Sequence, residues 1–333
     1  MKKIVFSILF VLILVSGFGV SVNEFFNNAM SENSDYEMIL LNREKYQMDY
    51  DKGIIEATTE KDQLNAEKNY YSSINIEKKD MLSLYQGFLS DLFNVYDADI
   101  NLKKAEFNLA DASETYQNDI SLNQKKIVSD SDLKESKLTF EEEQINYNTS
   151  LRDYNDYLKD FTKLTDISAE EVVFTLLNPE EIFVSDEVYL SNDLSLKTSE
   201  LTLKISEYDL ENMSKLSSEY DLKDQEISVK QNKYDYEDTL ESSEEANDDY
   251  KVDLGDKYNT VYINEAKFKL DEEEFEDIQE RYARGLISDS DYRSSYITLL
   301  SSESNYLRAL QNYLNTMIEY IVYVGGEISS FNF

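Results

Sequence analysis

From Leu133 onward the apolar positions fall at Phe140, Tyr147, Leu151, Tyr154, Leu158 and Phe161, with steps of seven resolving into alternating threes and fours. Such spacing keeps one stripe of a helix against a partner helix and predicts a coiled-coil seam. The seam returns at Tyr292, Tyr296, Leu299, Tyr306, Leu310, Tyr313, Met317, Tyr320 and Val324. A further seam precedes the first one at Val95, Ala98, Leu102, Ala105, Leu109, Ala112 and Tyr116, where alternate small residues let two helices approach closely. Its counterpart in the second half is Val261, Phe268, Phe275, Ile278 and Tyr282.

The resemblance between halves is a duplication. Ile127-Val128-Ser129-Asp130-Ser131-Asp132-Leu133 recurs as Leu286-Ile287-Ser288-Asp289-Ser290-Asp291-Tyr292, a shift of 286 − 127 = 159 residues. The register then holds without a gap to Phe161 and Tyr320, and 10 of the 35 aligned positions are identical. Repetition at a fixed period means one structural unit built twice.

Each unit predicts a hairpin of two long helices. The turns fall at Lys126 to Asp130 and at Arg284 to Asp289, where Gly285 can take the left-handed conformation that closes a helix. Ser129 with Asp132, and Ser288 with Asp291, have the spacing of a capping box that restarts the chain as a helix, with Asp where Glu is usual. Ligation of a divalent cation by the paired Asp residues is the alternative use of these four positions. The arm before the first turn, Met81 to Lys125, would be about 65 Å long. A shorter helix precedes each hairpin, over Tyr36 to Tyr50 closed by Gly53 and over Leu194 to Leu216. Pro179 follows the β-leaning Val172-Val173-Phe174 and marks the joint between units. Patches alternating with period two, at Tyr70, Ser72, Ile74 and Ile76 and at Tyr220, Leu222, Ile227, Val229, Tyr234 and Tyr236, suggest short strands. The expected fold is therefore mainly α: two tandem repeats, each with a short helix and a long antiparallel coiled-coil hairpin, plus a few short β-strands.

Met1-Lys2-Lys3, the apolar run Ile4 to Val15, and then Ser16, Gly17 and Gly19 read as a secretory signal cleaved near Gly19 to Val22. The residues leave a single membrane-anchoring helix as the alternative. The expected organisation is residues 1–22 as signal peptide, 23–178 as the first repeat and 179–333 as the second, with the mature chain exported across the inner membrane.

Composition narrows the function. The 68 carboxylates against 32 Lys and Arg give a formal charge of −36, opposed to nucleic acid and to anionic headgroups. Cys and His are both absent, which removes disulfides, thiolate chemistry, imidazole bases and the common zinc sites. No cluster of carboxylate, Lys, Tyr or Ser with catalytic spacing stands out, so neither an enzyme nor a cofactor is expected. The acidic runs Glu241 to Asp249 and Asp271 to Asp277 read first as solvated helix faces and second as a cation-favouring lining.

The stretch Glu280-Arg281-Tyr282-Ala283-Arg284-Gly285-Leu286-Ile287-Ser288-Asp289-Ser290-Asp291, followed by Leu299, Asn305-Tyr306, Ala309-Leu310 and Tyr313, resembles the second hairpin of TolC-type outer-membrane efflux proteins. The first copy carries Lys126 at the Gly position. The resemblance implies a homotrimer whose hairpins form a periplasmic tube, topped by an outer-membrane barrel and opened at the tips by a periplasmic adaptor serving an inner-membrane pump. It makes the apolar tip residues Ile127, Val128, Gly285, Leu286 and Ile287 candidates for adaptor contact, with packing across the hairpin turn as the alternative. A periplasmic coiled-coil scaffold without a barrel is the competing function.

Overall fold

The computed structural model of the chain describes residues 19–214, 217–326 and 328. The signal-like run Ile4 to Val15 and Leu216, the expected end of the second short helix, lie outside them.

Strand β1 (Val20–Ser21) leads into α1 (Val22–Met30), whose first turn is closed by a reciprocal cap between Ser21 and Glu24. Next come α2 (Ser34–Glu56), α3 (Glu60–Gln124) and α4 (Asp130–Leu164). The joint carries strand β2 (Val172–Val173), parallel to β1, and a 3-10 turn that starts at Pro179. The second half supplies α5 (Asp186–Asn192), α6 (Leu194–Glu211), α7 (Glu219–Ala283) and α8 (Asp289–Tyr323). Helices α3 and α7 are both 65 residues long, α4 and α8 both 35, and each pair is related by the same step: 219 − 60 = 159 and 289 − 130 = 159. Each 65-residue helix spans about 98 Å.

The alternating patches are a correction. Tyr70 to Ile76 lies inside α3 and Tyr220 to Tyr236 inside α7, so the arms begin 95 − 60 = 35 and 261 − 219 = 42 residues before the seams that announced them. The cause is tertiary. Helix α2 runs through Gly53 to Glu56 and lies so close to α3 that a Cβ at Gly53 would stand 2.9 Å from that of Ala66. Tyr50 and Tyr70 meet in a tilted contact with ring centroids 4.8 Å apart, and Arg43 pairs with the buried Glu77. A partner helix at this distance gives the segment a helical stripe to bury; a charged strand with no sheet would leave its ladder groups unpaired. Gly53 is therefore a close-approach position within the helix instead of its end. The strand expectation is met only at Val172 and Val173.

The lateral order of helices follows from their contacts. At one end α2 packs on α3, α3 on α6 and α6 on α7; at the other end α4 packs on α3, α3 on α8 and α8 on α7. Between these ends sits the main core, built of Phe25, Phe26, Leu89, Leu92, Phe161, Leu310, Tyr313, Met317 and Tyr320, and covered by α1, α5 and the joint. Ile100, Phe275, Tyr296, Leu299 and Leu300 form a second cluster nearer the hairpin turns. No helix among the described residues is long and apolar enough to cross a membrane.

Candidate functional site

The two hairpin turns are built alike. After α7, Gly285 takes φ +73°; its N–H donates to Tyr282 O at 2.8 Å and the Leu286 N–H donates to Arg281 O at 2.9 Å. After α3, Lys126 takes φ +61°; its N–H donates to Asn123 O at 2.8 Å and the Ile127 N–H to Leu122 O at 3.0 Å. Both are the paired-bond helix stop in which one left-handed residue turns the chain out of the helix. A Lys thus holds, in the first copy, a conformation that Gly holds in the second.

The restart differs in detail. Ser288 accepts from the Asp291 N–H at 3.1 Å while its own backbone N–H donates to the Asp291 carboxylate at 3.4 Å, a reciprocal box. Ser129 accepts from the Asp132 N–H at 3.2 Å, and the neighbouring turn is held by Asn123, whose amide donates to Val128 O and Asp130 Oδ1. Asp132 and Asp291 therefore sit in the first turns of α4 and α8, where a carboxylate favours the helix N-terminus. Among the described residues no group of three or more Asp, Glu, His or Cys is placed to hold a metal ion.

Ile127 is 67% and Leu286 65% exposed, while Val128 and Ile287 are half-buried and Gly285 is open to solvent. The two tips thus present one bare aliphatic group each. Tyr282 and Tyr292 stack across the second turn at 4.5 Å, which fills the space between its helices without Leu286.

The sequence reading missed an ion pair between the two hairpins. Arg293 at the start of α8 reaches across to α3 and donates to Asp111 at 2.9 and 2.6 Å and to Glu114 at 2.5 Å. Its side chain is only 13% exposed, whereas the carboxylates are about half exposed. Arg293 stands at a polar heptad position with partners 182 and 179 residues away, so no local signal marks it. Asp193 was also missed. Buried at the N-terminus of α6, it accepts the N–H groups of Ser195 and Leu196, the Ser243 hydroxyl and the Tyr323 hydroxyl, which ties α6, α7 and α8 together through one carboxylate.

No protein-family model matches the chain and no curated protein matches it in sequence. Solved structures do match in three dimensions. The Campylobacter jejuni CmeC outer membrane channel superposes with a TM-score of 0.56 over 93% of this chain and 87% of its own, at 14% identity. The open state of the Neisseria gonorrhoeae MtrE outer membrane channel gives 0.57 over 92% and 89%, at 12% identity. The outer membrane protein VceC from Vibrio cholerae gives 0.55 over 92% and 96%, at 9% identity. The chain has the TolC-type fold. Within that fold, the turns at Lys126 and Gly285 close one end of the rods. The Arg293 link lies just above the Gly285 turn and adds a polar contact to the apolar packing of α8 on α3.

Proposed function

We propose that the protein is the subunit of a passive efflux duct of the TolC type. It works as a homotrimer at the outer membrane and in the periplasm, with a periplasmic adaptor and an inner-membrane pump supplying selection and energy. The observation that carries this reading is the match over more than nine-tenths of the chain to several outer membrane channels. The duplication supports it, because two similar hairpin units, 23–178 and 179–333, let one chain contribute two near-equivalent staves to a tube. Transport through such a tube needs no catalytic residue.

The electrostatics set a preference. With Lys2 and Lys3 removed the mature subunit carries about −36 − 2 = −38, and a duct walled by that charge favours cations over anions. The bare Ile127 and Leu286 are the sites at which the adaptor docks, with Val128, Gly285 and Ile287 forming the rest of each tip. Native mass in mild detergent and conductance in planar bilayers test the duct: a trimer with cation-selective steps is the expected result, and a protein that never conducts overturns it. Replacing Leu286 by Asp abolishes adaptor binding without changing helicity; unchanged binding overturns the tip assignment.

A second reading, a periplasmic coiled-coil scaffold without a barrel, is favoured by one observation. The stretches Tyr70 to Ile76 and Tyr220 to Tyr236, the best strand candidates in the sequence, are helical. A signal-free protein that is monodisperse without detergent and silent in bilayers is the outcome that selects this reading.

A further inference from the structure

The two hairpins differ where their helices touch. In the seam of α3 the small positions are Ala98, Ala105 and Ala112; one repeat later, starting at 98 + 159 = 257, α7 carries Lys257, Asn264 and Asp271 instead. Lys257 uses its position to cross the second hairpin. Its ammonium donates to Asp253 Oδ2 at 2.7 Å and to the Thr316 hydroxyl at 2.6 Å, so one charged group ties α7 to the buried Thr316 of α8.

At the same place in the first hairpin the side chain stops at a methyl group. The register there is set by the Tyr116–Phe140 stack, 116 + 140 = 256, which brings Tyr157 beside Ala98 and Ser150 beside Ala105. Between these helices runs an open groove of about 530 Å³ with Ala98 and Ala105 in its lining. From Asn94 to Asn108 it follows α3 for about 21 Å. Tyr96, on another face of α3, turns to the joint, where its hydroxyl donates to Ala169 O at 2.5 Å; no residue of α1 or of the joint lines the groove. The lining is polar. Asp97, Glu143 and Asp153 supply three carboxylates against one ammonium, Lys104, and Asn94, Asn101 and Asn108 recur along it every seven residues. Arg152 and Arg308 reach Asp153 and Asp97 at 3.0 and 3.8 Å without lining the groove; their side chains are 67% and 62% exposed, and pairs as wet as these hold a carboxylate only weakly against a better-placed cation. The equivalents of Asp253 and Thr316, the two groups that hold the Lys257 ammonium, are Asn94 and Tyr157, and each offers an oxygen to an N–H.

We propose that the groove between α3 and α4 binds a linear aliphatic polyamine, with one ammonium beside Ala98 in the place that the Lys257 ammonium fills in the second hairpin. The alkyl chain lies along the methyl groups of Ala98 and Ala105, and the remaining ammonium groups meet the carboxylates. The field of a chain carrying −36 raises the local concentration of such a cation. The bound amine joins α3 to α4 as Lys257 joins α7 to α8, so the first hairpin is braced by a ligand where the second is braced by its own side chain. The site lies within one hairpin and is therefore independent of the assembly proposed above.

The test titrates spermidine into the full mature chain in mild detergent at about 0.15 M salt, where loose attraction to the acidic surface is screened, and reads stoichiometry and affinity by calorimetry. The wild type takes up one spermidine per subunit. Ala98→Lys puts the second hairpin's own side chain into the groove and weakens binding at least about tenfold, the loss of one hydrogen-bonded ammonium. Lys257→Ala empties the second hairpin and raises the stoichiometry to two, and the double variant returns it to one. Circular dichroism checks that each variant is folded, and spermidine slows hydrogen exchange of the α3 and α4 amides in the wild type but not in Ala98→Lys. A wild type that takes up no spermidine, or a folded Ala98→Lys that binds it as well as the wild type, overturns the site. So does a Lys257→Ala variant whose stoichiometry stays at one, a result that can be read even if Ala98→Lys does not fold.

Discussion

The left-handed residue at each hairpin turn allows a reciprocal test. Gly285 holds φ +73°, and a Cβ built there meets nothing within 4 Å. The cost of Gly285→Ala is therefore purely one of backbone conformation: about 1–2 kcal/mol for an L-residue in that region, less about 0.5–1 kcal/mol because Ala has less freedom to lose on folding. The net loss is about 1 kcal/mol. Lys126, at φ +61°, already bears this strain, so Lys126→Gly gains a similar amount. In a rod this long a turn opens locally, and a global melt would dilute the signal. Hydrogen exchange of the turn amides reads it directly. The Leu286 N–H, bonded to Arg281 O, exchanges about fivefold faster in Gly285→Ala, and the Ile127 N–H, bonded to Leu122 O, about fivefold slower in Lys126→Gly, where about 1.4 kcal/mol corresponds to a factor of ten. If Lys126→Gly leaves the Ile127 amide unprotected while Gly285→Ala exposes Leu286, the two turns are not equivalent and the reasoning fails.

Further predictions concern the links between helices. Arg293→Ala removes the only cation bound to Asp111 and Glu114 among the described residues and costs about 2 kcal/mol, discounted for the half-exposed carboxylates; chemical denaturation and hydrogen exchange near the Gly285 turn both report it. Leu310→Ala, at a site 1% exposed in the main core, costs about 3 kcal/mol, and a loss below about 1 kcal/mol would show that the core is not packed as described. Burial raises the Glu303 carboxyl above its usual 4.5, with Asp99 adding and Lys103 and Lys104 opposing, and burial likewise raises Glu272, with Glu303 adding to it. A carboxyl raised on folding stabilises fully below its unfolded value and loses that contribution as pH rises through the folded one, so these groups make the protein more stable as pH falls from neutrality toward 4.5. The carboxylates that hydrogen bonds lower, such as Asp62 and Asp186, oppose this only once pH drops below about 4. Glu303→Gln flattens the rise in unfolding midpoint between pH 7 and 5; a slope unchanged in the variant contradicts the assignment.

Much of the architecture was legible because its signals are local or repetitive. The seams required only that apolar residues recur at three and four, and the turns only a left-handed residue followed by Ser and Asp. Gly285 announced itself by type. Lys126 did so only through the 159-residue repeat, since nothing about Lys favours φ +61°. The strand patches misled because period two over a few residues is compatible with a helix whenever a partner helix supplies the stripe to be buried. That partner, α2, was itself legible, but its approach at Gly53 and Ala66 was not.

The sequence alone determined the paired helices on either side of each hairpin turn, the turns and the duplication, because capping, backbone preference and heptad burial act between residues a few positions apart. Tertiary structure decided which helix lies beside which, how the charged upper arms fold, and which faces are left bare. Those outcomes depend on pairs such as Arg293 with Asp111, 182 residues apart, and Lys61 with Asp209, 148 apart. An ion pair or a packed face is specified by where two segments meet in space, and no pattern confined to one segment encodes that meeting.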